Sequence, residues 1–152
     1  MAKYLATVAW TLKPGEDFEK GRYSRAHTLR FDGGAEVPAS ASPHVVGKWA
    51  DPAGVDPEEM LVAALSNCHM LTFLHKARLA GLKVTAYEDE AEGVMTEIGE
   101  GRLAMTRVTL RPAITYEGRT PDAAELEALH HAAHEECYIA NSVKTEVVVE
   151  GR

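Results

Sequence analysis

The chain has 152 residues, and its 23 Asp and Glu against 16 Lys and Arg give a formal net charge of -7. That is sequence for one domain, and the wrong sign for holding nucleic-acid phosphates. No apolar run approaches the roughly 20 residues that span a bilayer, and the opening MAKYLATVAW lacks the apolar core and cleavage site of a secretory signal, so a cytoplasmic protein without membrane or nucleic-acid partners is expected.

In chain order, Tyr4, Ala6, Val8, Trp10 and Leu12 alternate as one face of a strand, and Lys13 to Glu16 turn the chain. The run from Arg22 to Phe31 reads as an exposed strand carrying Arg22 and Arg25. It ends in Asp32-Gly33-Gly34, a hairpin signal, with the return strand starting over 35–37. From Pro38 to Val55 the breakers Pro38, Pro43, Gly47, Pro52 and Gly54 predict a long loop.

The most clearly marked element follows. Asp56 is a good N-cap, Pro57 suits the first helical position, and Glu59 stands where a reciprocal cap needs it. Lys76 and Arg78 put positive charge in the last turn, and Gly81 can take the left-handed conformation that stops a helix. Apolar residues cover nearly every face between, which predicts an enclosed, central helix with Cys68 in its middle.

Beyond Gly81, strands are expected over 84–94 and 103–116, joined near Gly99-Glu100-Gly101, with Pro112 at a bulge or edge. A second helix has Thr120 as N-cap and Pro121 at its first position. It runs to Cys137, with Leu126, Leu129, Ala133 and Cys137 on one stripe. Residues 143–150 read as a last strand. The order is three strands, helix, two strands, helix, strand, in one domain over 1–152.

Two cysteines in a reducing compartment are inert core thiols, metal ligands or a redox pair. Glu58, in the first helical turn, has a sufficient role in the helix dipole, and Arg22 and Arg25 read equally as solvated strand residues. His27, His44 and His75 read as surface or packing residues. His130, His134 and Cys137 could share a helical face, and Cys68-His69 could add ligands, so a His/Cys metal-binding protein is one reading. Against it, Cys-x-x-Cys clusters are absent, and His130-His131 reads as easily as an exposed polar face.

Three segments in this order resemble the OsmC/Ohr family, the osmotically inducible protein C and organic hydroperoxide resistance proteins. They are Asp56-Pro57-Glu58-Glu59 opening the long helix, Ala63-Ala64-Leu65-Ser66-Asn67-Cys68 within it, and His134-Glu135-Glu136-Cys137 with Asn141 just beyond. Tyr23-Ser24-Arg25 and the segment from Val37 to Pro43 resemble the OsmC-like branch. Tyr138 departs from the pattern, because family members often have proline after the second cysteine.

The resemblance implies an α+β fold, with antiparallel sheets wrapped around a long central helix in an intertwined homodimer. It also implies a thiol peroxidase that needs no cofactor. Cys68 would attack an organic hydroperoxide, and hydrogen peroxide more weakly, and become a sulfenic acid; Cys137 would resolve it as a disulfide. A dithiol reductant, lipoyl-type or other, would restore the thiols. An arginine held by a glutamate would stabilise the thiolate; Glu58 matches the glutamate, and Arg25, with Arg22 second, matches the arginine. A relative that binds a small molecule in the same cleft without peroxidase activity is the alternative. An apolar pocket of Met60, Leu61, Leu65 and Phe73 would favour organic peroxides.

Helix geometry adds one expectation. Ten residues separate Glu58 from Cys68, roughly 15 Å along the axis and about 80° around it. One copy's Glu58 therefore cannot serve its own Cys68, and a symmetric dimer sharing its sites is expected.

Overall fold

A computed structural model describes residues 1–151. The chain divides into two compact units, Met1–Met60 and Leu61–Arg152.

In the first unit, β1 (Ala6–Ala9), β2 (His27–Phe31) and β3 (Glu36–Ala39) form an antiparallel sheet in that order. The Asp32-Gly33-Gly34 hairpin forms as expected: Phe31 N–H donates to Ala35 O at 3.0 Å, and Gly34 takes φ 85°. The first two strands are shorter than expected, because β1 pairs only with β2 and β2 begins only at His27. Upstream, Arg22 is drawn into a local antiparallel bridge with Asp17, and Arg25 N–H donates to Trp49 O at 2.9 Å. Arg25 therefore lies in irregular chain leading into β2, not on an exposed strand. The expected loop over 38–55 contains a helical turn, α1 (Pro43–Val46), capped by Ser42, and a 3-10 turn, Gly47–Trp49. Gly54 is required there, since a Cβ would lie 2.7 Å from the Ala39 carbonyl carbon.

The long helix α2 (Pro57–Leu79) has the expected ends. Glu59 N–H donates to Asp56 Oδ1 at 2.7 Å and Asp56 N–H to Glu59 Oε2 at 3.0 Å, a reciprocal cap that contributes about 1 kcal/mol. At the other end Gly81, at φ 75°, donates to Arg78 O, while Leu82 N–H reaches back to Ala77 O at 3.0 Å. Leu82 and Ala77 then bury together, so the stop signal is also a packing contact.

In the second unit two cores receive two stretches of α2. Phe73 and Ala77 pack with Leu82 and Ala133, flanked by Val84, Tyr87, Ile114 and Leu129. Leu65 packs with Val108 and Leu110, flanked by Leu61, Val62 and Val147. Leu65 and Phe73 thus fill separate cores and do not line a common pocket. Nor is α2 enclosed on every face: Ala63, Asn67, Leu71 and His75 form an exposed stripe, with Leu71 58% accessible.

Each long strand expected in this unit is two strands. The first divides into β4 (Lys83–Asp89) and β5 (Glu92–Glu97), and the second into β6 (Leu103–Leu110) and β7 (Pro112–Glu117). β4 pairs β7 in one sheet while β5 pairs β6 in another, so both ribbons change sheets at the same level. The Asp89 carboxylate holds that crossing, accepting from Arg111 N–H at 2.6 Å and from the Ser66 hydroxyl. Pro112, with no N–H to donate, opens β7.

The second helix, α3, spans Ala123–Glu135, with Asp122 rather than Thr120 as its cap: Glu125 N–H donates to Asp122 Oδ1 at 2.8 Å. It ends before Cys137, which lies in the following turn. The last strand, β8 (Glu146–Val149), joins β6 in parallel, whereas every other strand pairing is antiparallel. Among the described residues the order is therefore three strands, a helical turn, the long helix, four strands, a helix and a strand.

Gly93 on β5 offers a packing test, because a Cβ there would lie 2.5 Å from Met105 Sδ and 2.6 Å from Val62 Cγ2. Gly93→Ala is expected to cost about 1–3 kcal/mol in chemical denaturation. Gly33→Ala, which meets nothing within 4 Å, should change stability by less than about 0.5 kcal/mol. Equal midpoints for the two variants would contradict this packing.

Candidate functional site

The second unit brings Cys68 and Cys137 together. Cys68 sits on α2, partly exposed, where its carbonyl accepts from Thr72 Oγ1 at 2.9 Å. Cys137 is 1% exposed, and three bonds fix it: its N–H donates to His134 O at 3.2 Å, its carbonyl accepts from Asn141 N–H at 3.0 Å, and its sulfur accepts from Ala140 N–H at 3.4 Å. Both thiols are free, and Cys68 lies near enough to perturb the Cys137 thiol. Burial pushes the Cys137 thiol above its ordinary range, and the adjacent Cys68 pushes it further. The backbone N–H groups of Ala140 and Ile139 oppose that rise without cancelling it. Cys137 therefore holds its proton. Tyr138, at the departure from the family pattern, points its ring to solvent at 79% exposure.

One position after Cys68, His69 turns inward. Its Nε2 lies 3.0 Å from Nδ1 of His130, and the two rings stack; His130 stacks in turn on Phe73 at 4.5 Å. His130 is thus buried, while His131 is the exposed member of the pair expected to share a polar face. Nδ1 of His69, Nε2 of His130 and Nδ1 of His134 have no hydrogen-bond partner among the described residues. Among the described residues no three His, Cys, Asp or Glu side chains are grouped so as to hold a metal ion.

Burial lowers both imidazoles to about 4. For His69, His130 and His134 add to the effect; for His130, Asp89 opposes it. The unfolded chain, with ordinary values near 6.5, binds more protons than the folded one below that pH. Stability conferred by the neutral rings is therefore complete above about pH 6.5 and lost as pH falls toward 4, on the order of 3 kcal/mol per ring. The urea midpoint should fall between pH 7 and pH 5, and less so in His130→Phe. A wild-type midpoint unchanged over that interval would contradict the neutral pair.

The first unit carries a groove of about 360 Å³, lined by Trp10, Phe18, Tyr23, Arg25, His27 and Ser40 among others. Its wall is an aromatic cluster, with Phe18 stacked on Tyr23 at 4.8 Å and Trp10 edge-on to Tyr23 at 5.3 Å. The Arg25 guanidinium lies 3.5 Å from the centre of the Tyr23 ring and donates to Tyr23 O, while its own carbonyl contacts His27 Nδ1 at 2.8 Å. A rigid cation in an apolar wall suits a ligand with an apolar body and a polar head. Ser24 is tied down beside it: Trp10 Nε1–H donates to Ser24 O at 2.9 Å, and Ser24 N–H to Glu16 Oε1 at 2.9 Å. The N–H groups of Lys13 and Ser24 hold the Glu16 carboxyl below its ordinary range.

Arg22 does not line the groove; its side chain is exposed outside the bridge with Asp17. Glu58, half-buried in the first turn of α2, follows the groove residue Pro57, and no ion pair joins it to Arg25 among the described residues. Phe18, a lone aromatic between Asp17 and Glu19, carries no signal in the sequence, and His69 reads there only as a possible metal ligand beside Cys68, not as half of a buried imidazole pair.

The family model for OsmC-like protein matches residues 50–151. The structure superposes on an OsmC-like protein of unknown function from Vibrio cholerae with TM-score 0.96, at 48% identity and over 100% of both chains. An organic hydroperoxide resistance protein OsmC from Legionella pneumophila matches with TM-score 0.70 over 99% of this chain and 96% of that one; at 20% identity the likeness is one of fold. By sequence, YmaD of Bacillus subtilis, a protein of uncharacterized function, is 24% identical over 96 residues. That match spans 62% of this chain and 63% of the relative's length.

Proposed function

The chain belongs to the OsmC-like protein family, and on that premise we propose that it is a cysteine-based thiol peroxidase acting on organic hydroperoxides and, more weakly, on hydrogen peroxide. The observation that carries the reading is the contact between the only two cysteines, one partly exposed and one enclosed and protonated.

The Cys68 thiolate attacks the terminal peroxide oxygen, the O–O bond breaks, and the alkoxide leaves as alcohol after taking a proton. Cys68 is then a sulfenic acid. Cys137 gives up its proton and its sulfur attacks Cys68; the S–O bond breaks, water leaves, and a disulfide remains. A dithiol reductant restores both thiols. The aromatic groove around Arg25 supports a preference for organic peroxides, since an apolar substituent gains from burial and hydrogen peroxide has none. Two free thiols fit a reducing compartment, and no helix among the described residues is long and apolar enough to cross a membrane. The name of the Legionella relative agrees with this substrate class.

The reading includes a homodimer in which Arg25 and Glu58 of one copy serve Cys68 of the other. Helix geometry supports it, because α2 runs unbroken from Glu58 to Cys68 and keeps them roughly 15 Å apart. So does the exposure of Leu71 and Leu79 on α2, apolar side chains that a second copy could cover. Mixed refolding of Cys68→Ser with Glu58→Ala chains, each nearly inactive alone, should recover one working site per heterodimer. A monomer by sedimentation, or mixing that recovers nothing, would contradict the shared site. The activity itself is tested with cumene hydroperoxide and dithiothreitol: peroxide should be consumed catalytically. Ligand binding without peroxide consumption would instead identify a small-molecule-binding relative.

A further inference from the structure

We propose that His27 is a further catalytic residue: its Nε2 takes the proton of the peroxide oxygen that Cys68 attacks and hands it to the oxygen that leaves. This rests on the peroxidase reading, which already sets Cys68 of a second copy at the Arg25 groove.

The imidazole is held from two sides. His27 opens β2, in register with Ala39 of β3, so the sheet fixes its backbone. Its Nδ1 lies 2.8 Å from the Arg25 carbonyl oxygen. A carbonyl only accepts, so Nδ1 carries the hydrogen, and in the neutral ring Nε2 keeps the lone pair. His27 lines the groove beside Arg25, and no hydrogen bond or ion pair among the described residues engages Nε2.

The other polar groups there are unsuited to carrying a proton both ways. A guanidinium only donates. The Ser40 hydroxyl is enclosed and accepts from Asp51 N–H at 2.9 Å. Glu16, near enough for Arg25 to act on its charge, spends one carboxylate oxygen on Ser24 N–H and the other on Lys13 N–H. Imidazole is the side chain that ordinarily takes and gives a proton near neutral pH. A hydroperoxide has two accepting oxygens and one O–H. The groove answers with a donor, Arg25, and an acceptor, Nε2 of His27.

As the Cys68 thiolate bonds to the attacked oxygen, the proton on that oxygen passes to Nε2. The O–O bond breaks, its electron pair goes to the leaving oxygen, and Nε2 returns the proton there. Alcohol departs and the ring is neutral again. Cys68, oxidised by two electrons as the peroxide is reduced by two, holds a sulfenate that takes a proton from water to become the sulfenic acid. Without the relay an alkoxide must leave unprotonated. A peroxy acid is indifferent, because it expels a carboxylate that needs no proton.

The test compares cumene hydroperoxide with peroxyacetic acid in wild type and in His27→Asn, whose amide can still donate to the Arg25 carbonyl but has no Nε2. Oxidation of Cys68 by cumene hydroperoxide should slow about a hundredfold or more, and by peroxyacetic acid less than about threefold. His27→Gln, a second variant, should show the same selective loss. Rates lowered equally for both oxidants, or unchanged for both, overturn the proposal. Wild type supplies a measurement that no misfolded variant can confuse: in heavy water cumene hydroperoxide should react at least about twofold more slowly and peroxyacetic acid at nearly the same rate. No isotope effect with cumene hydroperoxide also overturns the relay. A wild type that consumes neither oxidant fails the peroxidase reading, and the relay with it; a wild type that consumes both while His27→Asn matches it fails the relay alone.

Discussion

Cys68→Ser is expected to lower kcat/KM for cumene hydroperoxide by at least about a thousandfold, because a hydroxyl at that position supplies no nucleophile ionised near neutral pH. The fold should persist, since Cys68 is partly exposed and its backbone bond to Thr72 does not involve sulfur. Cys137→Ser should behave differently. It keeps the attacking sulfur, so one equivalent of peroxide should still be consumed in a burst, leaving a sulfenic acid that dimedone can trap. In wild type the same trap should compete poorly with Cys137, which lies beside Cys68. Full turnover by Cys68→Ser would remove Cys68 from the reaction.

The second large effect is expected at Arg25. Arg25→Ala should slow the reaction of Cys68 with peroxide and with iodoacetamide by about a hundredfold or more, the usual scale for losing a fixed donor to a developing charge. Arg25→Lys should recover only part of that rate, because a lysine neither stacks on Tyr23 nor presents two donors in a plane. Arg22→Ala should react as wild type, since that side chain is exposed and outside the groove. An inactive Arg22→Ala beside a fully active Arg25→Ala would transfer the role to Arg22.

What could be read from the residues alone was whatever is set locally. The ends of α2 are such a case: Asp56 and Glu59 cap each other across three residues, and Gly81 stops the helix within its own turn. The hairpin at Asp32-Gly33-Gly34 is another. The readings that failed depended on distant partners. Nothing near Asp89 in sequence shows that its carboxylate will hold Arg111 and Ser66, so the sheet change that divides both long strands was invisible. Thr120-Pro121 imitates the cap that Asp122 supplies, and the stripe ending at Cys137 continues past the last helical turn, so the sequence pattern starts this helix too early and ends it too late.

The site divides in the same way. Cys68 and Cys137 were noticed as the only cysteines, and their family order paired them; their contact depends on how α2 and the turn after α3 pack. Arg25 was noticed for its charge, but its aromatic surroundings were not, because Trp10, Phe18 and Tyr23 are spread over fourteen positions and meet only once the chain folds back. His69 and His130 lie 61 residues apart and declare themselves only as a buried pair.

The most direct test of the central claim is non-reducing peptide mapping of wild-type protein after one equivalent of cumene hydroperoxide. The account predicts a single cross-linked species joining the Cys68 and Cys137 peptides, two hydrogens lighter than the reduced pair and abolished by dithiothreitol. Protein that emerges with both thiols free, or with cysteines oxidised but not joined to each other, would contradict it.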